Sequence, residues 1–246
     1  MRLTVMTYNV HSCTGTDGRT DPHRTARVIE GHAPDIIALQ ELDSGLVRTG
    51  LVDQAMVLAE WLEMDYHFHP SLHLEAGQYG NALLSPHPIR VFRAGELPTL
   101  PRRGIKEKRG AIWIKMDVGG REVQVFNTHL GLNRHERLAQ ATALAGPDWL
   151  RHPECKGPVV FCGDINVTGW SEVYRIFSRA LVDTHGRWGM GTWPSRFPLM
   201  RLDYIFASPD VSVRDAFVPR DKSVRKASDH LPAVSVLDVP EREARP

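Results

Sequence analysis

Six short segments join a hydrophobic run to an acid, an amide or a histidine: Thr7-Tyr8-Asn9, Gln40-Glu41, Asn127-Thr128-His129, Gly163-Asp164-Ile165-Asn166, Leu202-Asp203-Tyr204 and Ser228-Asp229-His230. Strands that deliver carboxylates, amides and imidazoles to their ends build a rigid site for a hard cation and a phosphate. Glu41, with Asn9 and Asp229, offers the few ligands that Mg²⁺ or Mn²⁺ takes when it keeps several waters and a substrate oxygen. An acid in that place also reads as a solvated strand terminus. Asp164 and Asn166 are two apart, so on an extended backbone they share a face. The carboxylate can then take a proton from water while the amide holds the water or a phosphate oxygen. The same letters also make an ordinary turn.

Asp203 lies inside an apolar run, where an unpaired carboxylate is costly to bury. His230 is its natural partner. A carboxylate fixes the imidazole tautomer and favours the imidazolium, which can hold a phosphoryl oxygen while charge builds there. Asp229 then points the other way, toward a metal. His129 is a second candidate phosphate contact, although a strand-end histidine also serves as a plain hydrogen-bonding group. Two basic runs, Arg102, Arg103, Lys106, Lys108 and Arg109, and Arg220, Lys222, Arg225 and Lys226, would draw in an anionic ester. Arg109 is the one expected to reach a phosphate.

Strands and helices must hold these groups. The apolar runs predict strands over 3–9, 35–40, 81–85, 91–94, 111–118, 122–128, 158–162, 201–207, 211–217 and 233–236. Gly119-Gly120 between two alternating runs marks a hairpin. Asp21-Pro22, Asp53 and Ser171 open helices as caps, and a further helix spans 135–144. Many strands flanked by helices, without repeats or linkers, imply one layered α/β domain over 1–246, with two packed sheets covered by helices. The polar tail, 240–246, is expected to fray.

Composition bounds the rest. Hydrophobic residues make 42% and charged residues 24%, as in an ordinary globular chain, and the formal net charge of +1 argues against a surface built for duplex DNA. Cys13, Cys155 and Cys162 have no metal or disulfide spacing. The N-terminal segment turns polar too quickly for a signal peptide, and no run approaches the roughly 18 apolar residues of a membrane span. The expected location is the cytoplasm. Nothing points to a protein partner.

Taken together, the segments resemble the endonuclease/exonuclease/phosphatase superfamily, with its deoxyribonuclease I-like fold, over nearly the whole chain. The resemblance implies a four-layer α/β/β/α sandwich of two packed β-sheets and metal-dependent phosphoester hydrolysis by in-line attack of water. It implies that Glu41 is the principal Mg²⁺ ligand, that Asn9 lies near metal and phosphate, and that His129 contacts phosphate. Asp164 and Asn166 resemble the pair that positions water and phosphate, Asp203 the acid that orients the terminal histidine, and Asp229-His230 the terminal motif. Asn81 would hydrogen-bond His129, and Tyr79 and Trp193 would line a substrate groove. The Asp17-Gly18-Arg19-Thr20-Asp21-Pro22 loop replaces the sequence typical of abasic-site nucleases. It looks more like a bacterial subgroup related to sphingomyelinase-like and lipid-remodelling members. The expected substrate is therefore a phospholipid headgroup or small phosphodiester. A nuclease is the alternative, and a binding protein that has lost catalysis is the alternative of another class.

Overall fold

Successive side chains of an extended chain point to opposite faces, so each strand sorts its residues between two layers. The computed structural model describes residues 1–74, 76–100 and 108–240. Its strands are β1 (Arg2–Asn9), β2 (Ile36–Ser44), β3 (Asp65–Leu74), β4 (Gly77–Ser85), β5 (Arg90–Glu96), β6 (Gly110–Val118), β7 (Arg121–His129), β8 (Val159–Asp164), β9 (Val182–Asp183), β10 (Asp203–Ala207), β11 (Ser212–Phe217) and β12 (Ala233–Asp238). Its helices are α1 (Pro22–Glu30), α2 (Gln54–Leu62), α3 (Arg134–Leu144), α4 (Glu172–Ser178) and α5 (Lys222–Ala227). The strands form two six-stranded sheets, in the orders β11-β12-β1-β2-β4-β3 and β5-β6-β7-β8-β10-β9. Each sheet has one parallel pair, β1–β2 or β7–β8, with antiparallel neighbours on both sides. The parallel pairs are joined through α1 and α3, because a parallel return needs a crossover.

Three apolar layers follow from the alternation. Leu3, Val5, Ile36, Ala38, Ile112, Val125, Val160 and Ile205 fill the space between the sheets. Met6, Tyr8, Ile37 and Leu39 face the other way, onto α1, α2 and α5. Trp113, Phe126, Phe161 and Phe206 face α3 and α4. The order is helix, sheet, sheet, helix, as the sequence predicts. Asp21, Asp53 and Ser171 cap their helices by accepting from Arg24 N, Met56 N and Tyr174 N. No helix is long and apolar enough to cross a membrane, among the described residues.

Three elements depart from expectation, the two-residue β9 among them. β3 is an edge strand whose residues do not alternate and whose Pro70 sits at a register shift, the place where a sheet tolerates proline. α5 occupies the second basic run. Asp221 caps it, and Arg225 and Lys226 stand at its C-terminal end, where cations complement the helix dipole. Arg225 donates to the carbonyls of Arg220, Ser195 and Arg196, and Lys226 pairs with Asp17, so this run fastens loops together. Of the first basic run, Arg102, Arg103 and Lys106 lie outside the described residues, as does the tail 241–246.

Candidate active site

The inner face of each central strand starts apolar and ends polar. Leu3 and Val5 lead to Thr7 and Asn9, Ile36 and Ala38 to Gln40, Val123 and Val125 to Asn127 and His129, and Val160 and Cys162 to Asp164. The polar end of the slab between the sheets is therefore built from both of them. Gln40 Nε2 donates to Asn127 Oδ1 at 2.7 Å, and Asn127 Nδ2 donates to Leu39 O and Ala82 O at 2.9 and 2.8 Å. This buried junction ties one sheet to the other just beneath the site. Above it, Asn9 Nδ2 donates to Glu41 Oε1 at 2.9 Å and to Asp164 Oδ2 at 3.0 Å, again joining the two sheets. The Asn9 oxygen accepts from His11 N.

Strict alternation would turn Glu41 away from the pocket, opposite Gln40. Instead Glu41 adopts a left-handed backbone, φ 62°, where the pairing of β2 with β4 shifts register between Leu39 and Leu42. A bulge of this kind re-aims a side chain, and here it brings Glu41 to the cavity wall. Asn166 also departs from the expected geometry. β8 ends at Asp164, and Asn166 has φ 52°. A turn ties the two residues together, with the Asn166 backbone N donating to Asp164 Oδ1 at 2.9 Å. Asn166 Nδ2 reaches Leu130 O and lies 3.0 Å from His129 Nε2. Gly163 is required before them, because a Cβ there would come within 2.0 Å of Thr128 O.

Asp203 is the first residue of β10 and sits directly opposite Asp164 in the antiparallel ladder. Its Oδ2 is 2.9 Å from His230 Nδ1, while His230 Nε2 is 3.7 Å from Asp164 Oδ2. Ser228 holds this turn in place by donating to Asn9 O and accepting from His230 N. Burial opposes charge on His230, but the charge and hydrogen bond of Asp203 outweigh it and raise the pKa to about 10. Burial, and then the Asp203 carboxylate, raise Asp164 to about 7. His129 is shifted the other way. Burial, then Arg109 and His230, hold it well below its ordinary value, and Arg109 Nη1 donates to its Nδ1 at 2.9 Å. The expected bond from Asn81 goes elsewhere: its amide donates to Gly110 O, and Arg109 occupies the His129 nitrogen. Arg109 was legible as a basic residue near the site, but nothing in its segment revealed a histidine partner.

These groups open on a cavity of about 680 Å³ lined by Glu41, Tyr79, Arg109, His129, Asp164, Asn166 and His230 on its polar side, and by Leu132, Val167, Met200 and Leu202 among its apolar lining. Arg137 and Trp193 line it as well. Asp203 and Asn9 are buried behind it. Asp229 is half-exposed at the next position, with its Oδ2 accepting from Trp193 Nε1 at 3.3 Å and its Oδ1 3.8 Å from His11 Nδ1. Arg201 and Thr192, which sequence reasoning passed over, pin the start of β10. Arg201 pairs with Asp183 and covers the Tyr204 ring, and Thr192 Oγ1 accepts from Leu202 N.

Two places have the donor chemistry of a cation site. Asp164, Asp203 and His230 put three ligand atoms within 4.8 Å of one another, but the Asp203–His230 bond and the imidazolium it favours occupy them. Glu41 fits a hard cation better. One oxygen is steadied by Asn9, and Oε2 has no hydrogen-bond donor among the described residues, as a carboxylate ligand must stand.

The family model described as endonuclease/exonuclease/phosphatase matches residues 6–230. The uncharacterized protein YbhP of Escherichia coli strain K12 is 29% identical over 188 residues, 71% of this chain and 69% of that protein. The structure of an endonuclease/exonuclease/phosphatase from Beutenbergia cavernae is 26% identical with a TM-score of 0.76, covering 97% of this chain and 72% of that one. The mannosyl-6-phosphatase of Bacteroides thetaiotaomicron has a TM-score of 0.73 at 22% identity, over 96% of this chain and 99% of its own, which is a likeness of fold.

Proposed function

The chain belongs to the endonuclease/exonuclease/phosphatase family, and from that premise we propose that it is a divalent-metal-dependent hydrolase of a small phosphodiester or phospholipid headgroup. One observation carries the reading: Asn9, Glu41 and His230, the last from the turn before β12, come from one sheet and meet His129, Asp164 and Asp203 from the other around a single cavity. Glu41 and Asp229 would hold Mg²⁺ or Mn²⁺, with Asn9 steadying the Glu41 carboxylate. An ion held there would supply positive charge to a phosphoryl oxygen.

The chain's own residues do the rest. Asp164, with a pKa near neutrality, accepts the proton of the attacking water, and Asn166 orients that water. His230, kept charged by Asp203, donates to a phosphoryl oxygen as its charge grows. Neutral His129, fixed by Arg109, faces a second oxygen. The bond from water oxygen to phosphorus forms as the bond to the leaving oxygen breaks on the opposite side. The apolar wall of Leu132, Val167, Met200 and Leu202 suits a small or lipid-borne leaving group better than a polynucleotide.

Hydrolysis of bis-p-nitrophenyl phosphate, a short-chain phospholipid and single- and double-stranded DNA, each with Mg²⁺, Mn²⁺ or a chelator, tests the reading. Ion-dependent cleavage of the first two supports it. Preferential cleavage of DNA, weakening steeply with salt, would replace it with a nuclease. No cleavage of any substrate with either ion would leave a binding protein.

A further inference from the structure

The loops that carry much of the cavity's lining also carry large apolar side chains that the chain itself leaves uncovered. Leu199 (84% exposed), Phe197 (75%), Trp188 (74%) and Leu132 (72%) are matched among the described large hydrophobic residues only by Val47, at 72%. They come from the loops before α3 and before β10, and Trp170 joins them from the loop before α4. Leu132 and Met200 line the cavity itself. Phe197 and Leu199 stand on a tight loop closed by the pairing of Trp193 with Met200. Trp170 and Trp188 meet edge to face with ring centroids 4.7 Å apart, and the Arg187 guanidinium lies 4.2 Å over Trp170. So much apolar surface in one place marks a contact region.

A groove of about 540 Å³ opens beside Trp170. Arg134, Arg137, Arg175 and Arg179 line it with a single carboxylate, Glu172. None of the four arginines is ion-paired, among the described residues. Arg137 also lines the catalytic cavity, so the two spaces share a wall.

Aliphatic and aromatic side chains beside unpaired arginines match the interface of an anionic bilayer, where apolar groups enter the acyl boundary and guanidinium groups meet phosphates. Single-stranded nucleic acid also uses aromatic rings and arginines. Here, however, Arg187 already covers a face of Trp170, and Leu132 and Leu199 offer no stacking surface. We propose that this face docks on an anionic phospholipid bilayer and presents the cavity to the membrane surface. Placing the substrate in that bilayer rests on the hydrolase reading above, whereas the docking does not.

The test is sedimentation of the full chain with vesicles of phosphatidylcholine alone or mixed in equal parts with phosphatidylglycerol. It uses two triple variants: Trp188→Ser, Phe197→Ser and Leu199→Ser, and Arg134→Gln, Arg175→Gln and Arg179→Gln. None of these six residues lines the catalytic cavity. The wild type should sediment with the anionic vesicles. Each apolar substitution should weaken binding about tenfold, and each arginine substitution about fivefold. Hydrolysis of bis-p-nitrophenyl phosphate should be unchanged in both variants. The docking is overturned if the wild type stays in the supernatant with anionic vesicles, or if either variant sediments as well as the wild type. It is also overturned if the face instead retains a single-stranded oligonucleotide and no vesicle. Vesicle binding as expected without ester hydrolysis by the wild type would remove the hydrolase reading and leave the docking standing.

Discussion

Replacing Asn127 with alanine should loosen the polar seam between the sheets. Asn127 is fully buried. It accepts from Gln40 Nε2 at 2.7 Å and donates to Leu39 O and Ala82 O at 2.9 and 2.8 Å. Gln40 Nε2 keeps Thr7 Oγ1 and Ala38 O as acceptors, so the two carbonyls lose most. At about 1–2 kcal/mol for each under-satisfied buried group, the loss is about 2–4 kcal/mol. For a chain of this size that lowers Tm by about 5–15 °C. Urea unfolding of the wild type, Asn127→Ala, Gln40→Ala and the double variant measures both the loss and the coupling, expected at about 1 kcal/mol or more. Strictly additive effects, or an Asn127→Ala loss below about 0.5 kcal/mol, would refute the idea that this junction holds the sheets together.

Three further outcomes are expected. Asp164→Asn and His230→Ala should each lower turnover by about a hundredfold to ten-thousandfold with an unchanged circular dichroism spectrum; near wild-type rates in a folded variant would remove that residue from the mechanism. His230 is raised from 6.5 to about 10, so the stability it contributes is fully present below pH 6.5 and is lost as pH rises toward 10. The stability gap between wild type and His230→Gln, read from urea unfolding in metal-free buffer, should shrink through that window, and a gap that widens would contradict the Asp203 pairing. Burial raises the thiols of Cys13 to about 12 and Cys155 to about 11, and raises Cys162 strongly as well. All three should resist iodoacetamide at mildly alkaline pH until the chain is unfolded, and rapid labelling of the native protein would count against this packing.

The candidate site was legible because its polar residues lie at the ends of apolar runs, and a period of two reads those ends directly. Asn9, Asp164 and His129 needed only alternation to be placed on the inner face. Asp203 needed only the cost of a buried carboxylate to be given a partner. What escaped depends on local breaks in that period. The left-handed turn at Glu41 overrides alternation, and the Asp164–Asn166 pair is made by a turn where a strand was expected. β3 escaped because an edge strand with one wet face and a proline carries no clean pattern. The Arg109–His129 contact escaped because it joins the residue just before β6 to the end of β7, and pairing register is not written in either segment alone. α5 was hidden because its lysines and arginines read as a charge run before they read as a helix end.

The left-handed backbone at Glu41 sets the chain's durability against the chemistry proposed for that residue. Glycine adopts that conformation without penalty, so laboratory selection for heat resistance alone should drift toward Glu41→Gly. The survivors would melt later and lack the carboxylate that opens on the cavity. Thermal tolerance is therefore a misleading guide to fitness at this position, and libraries built to harden the protein should hold residue 41 fixed.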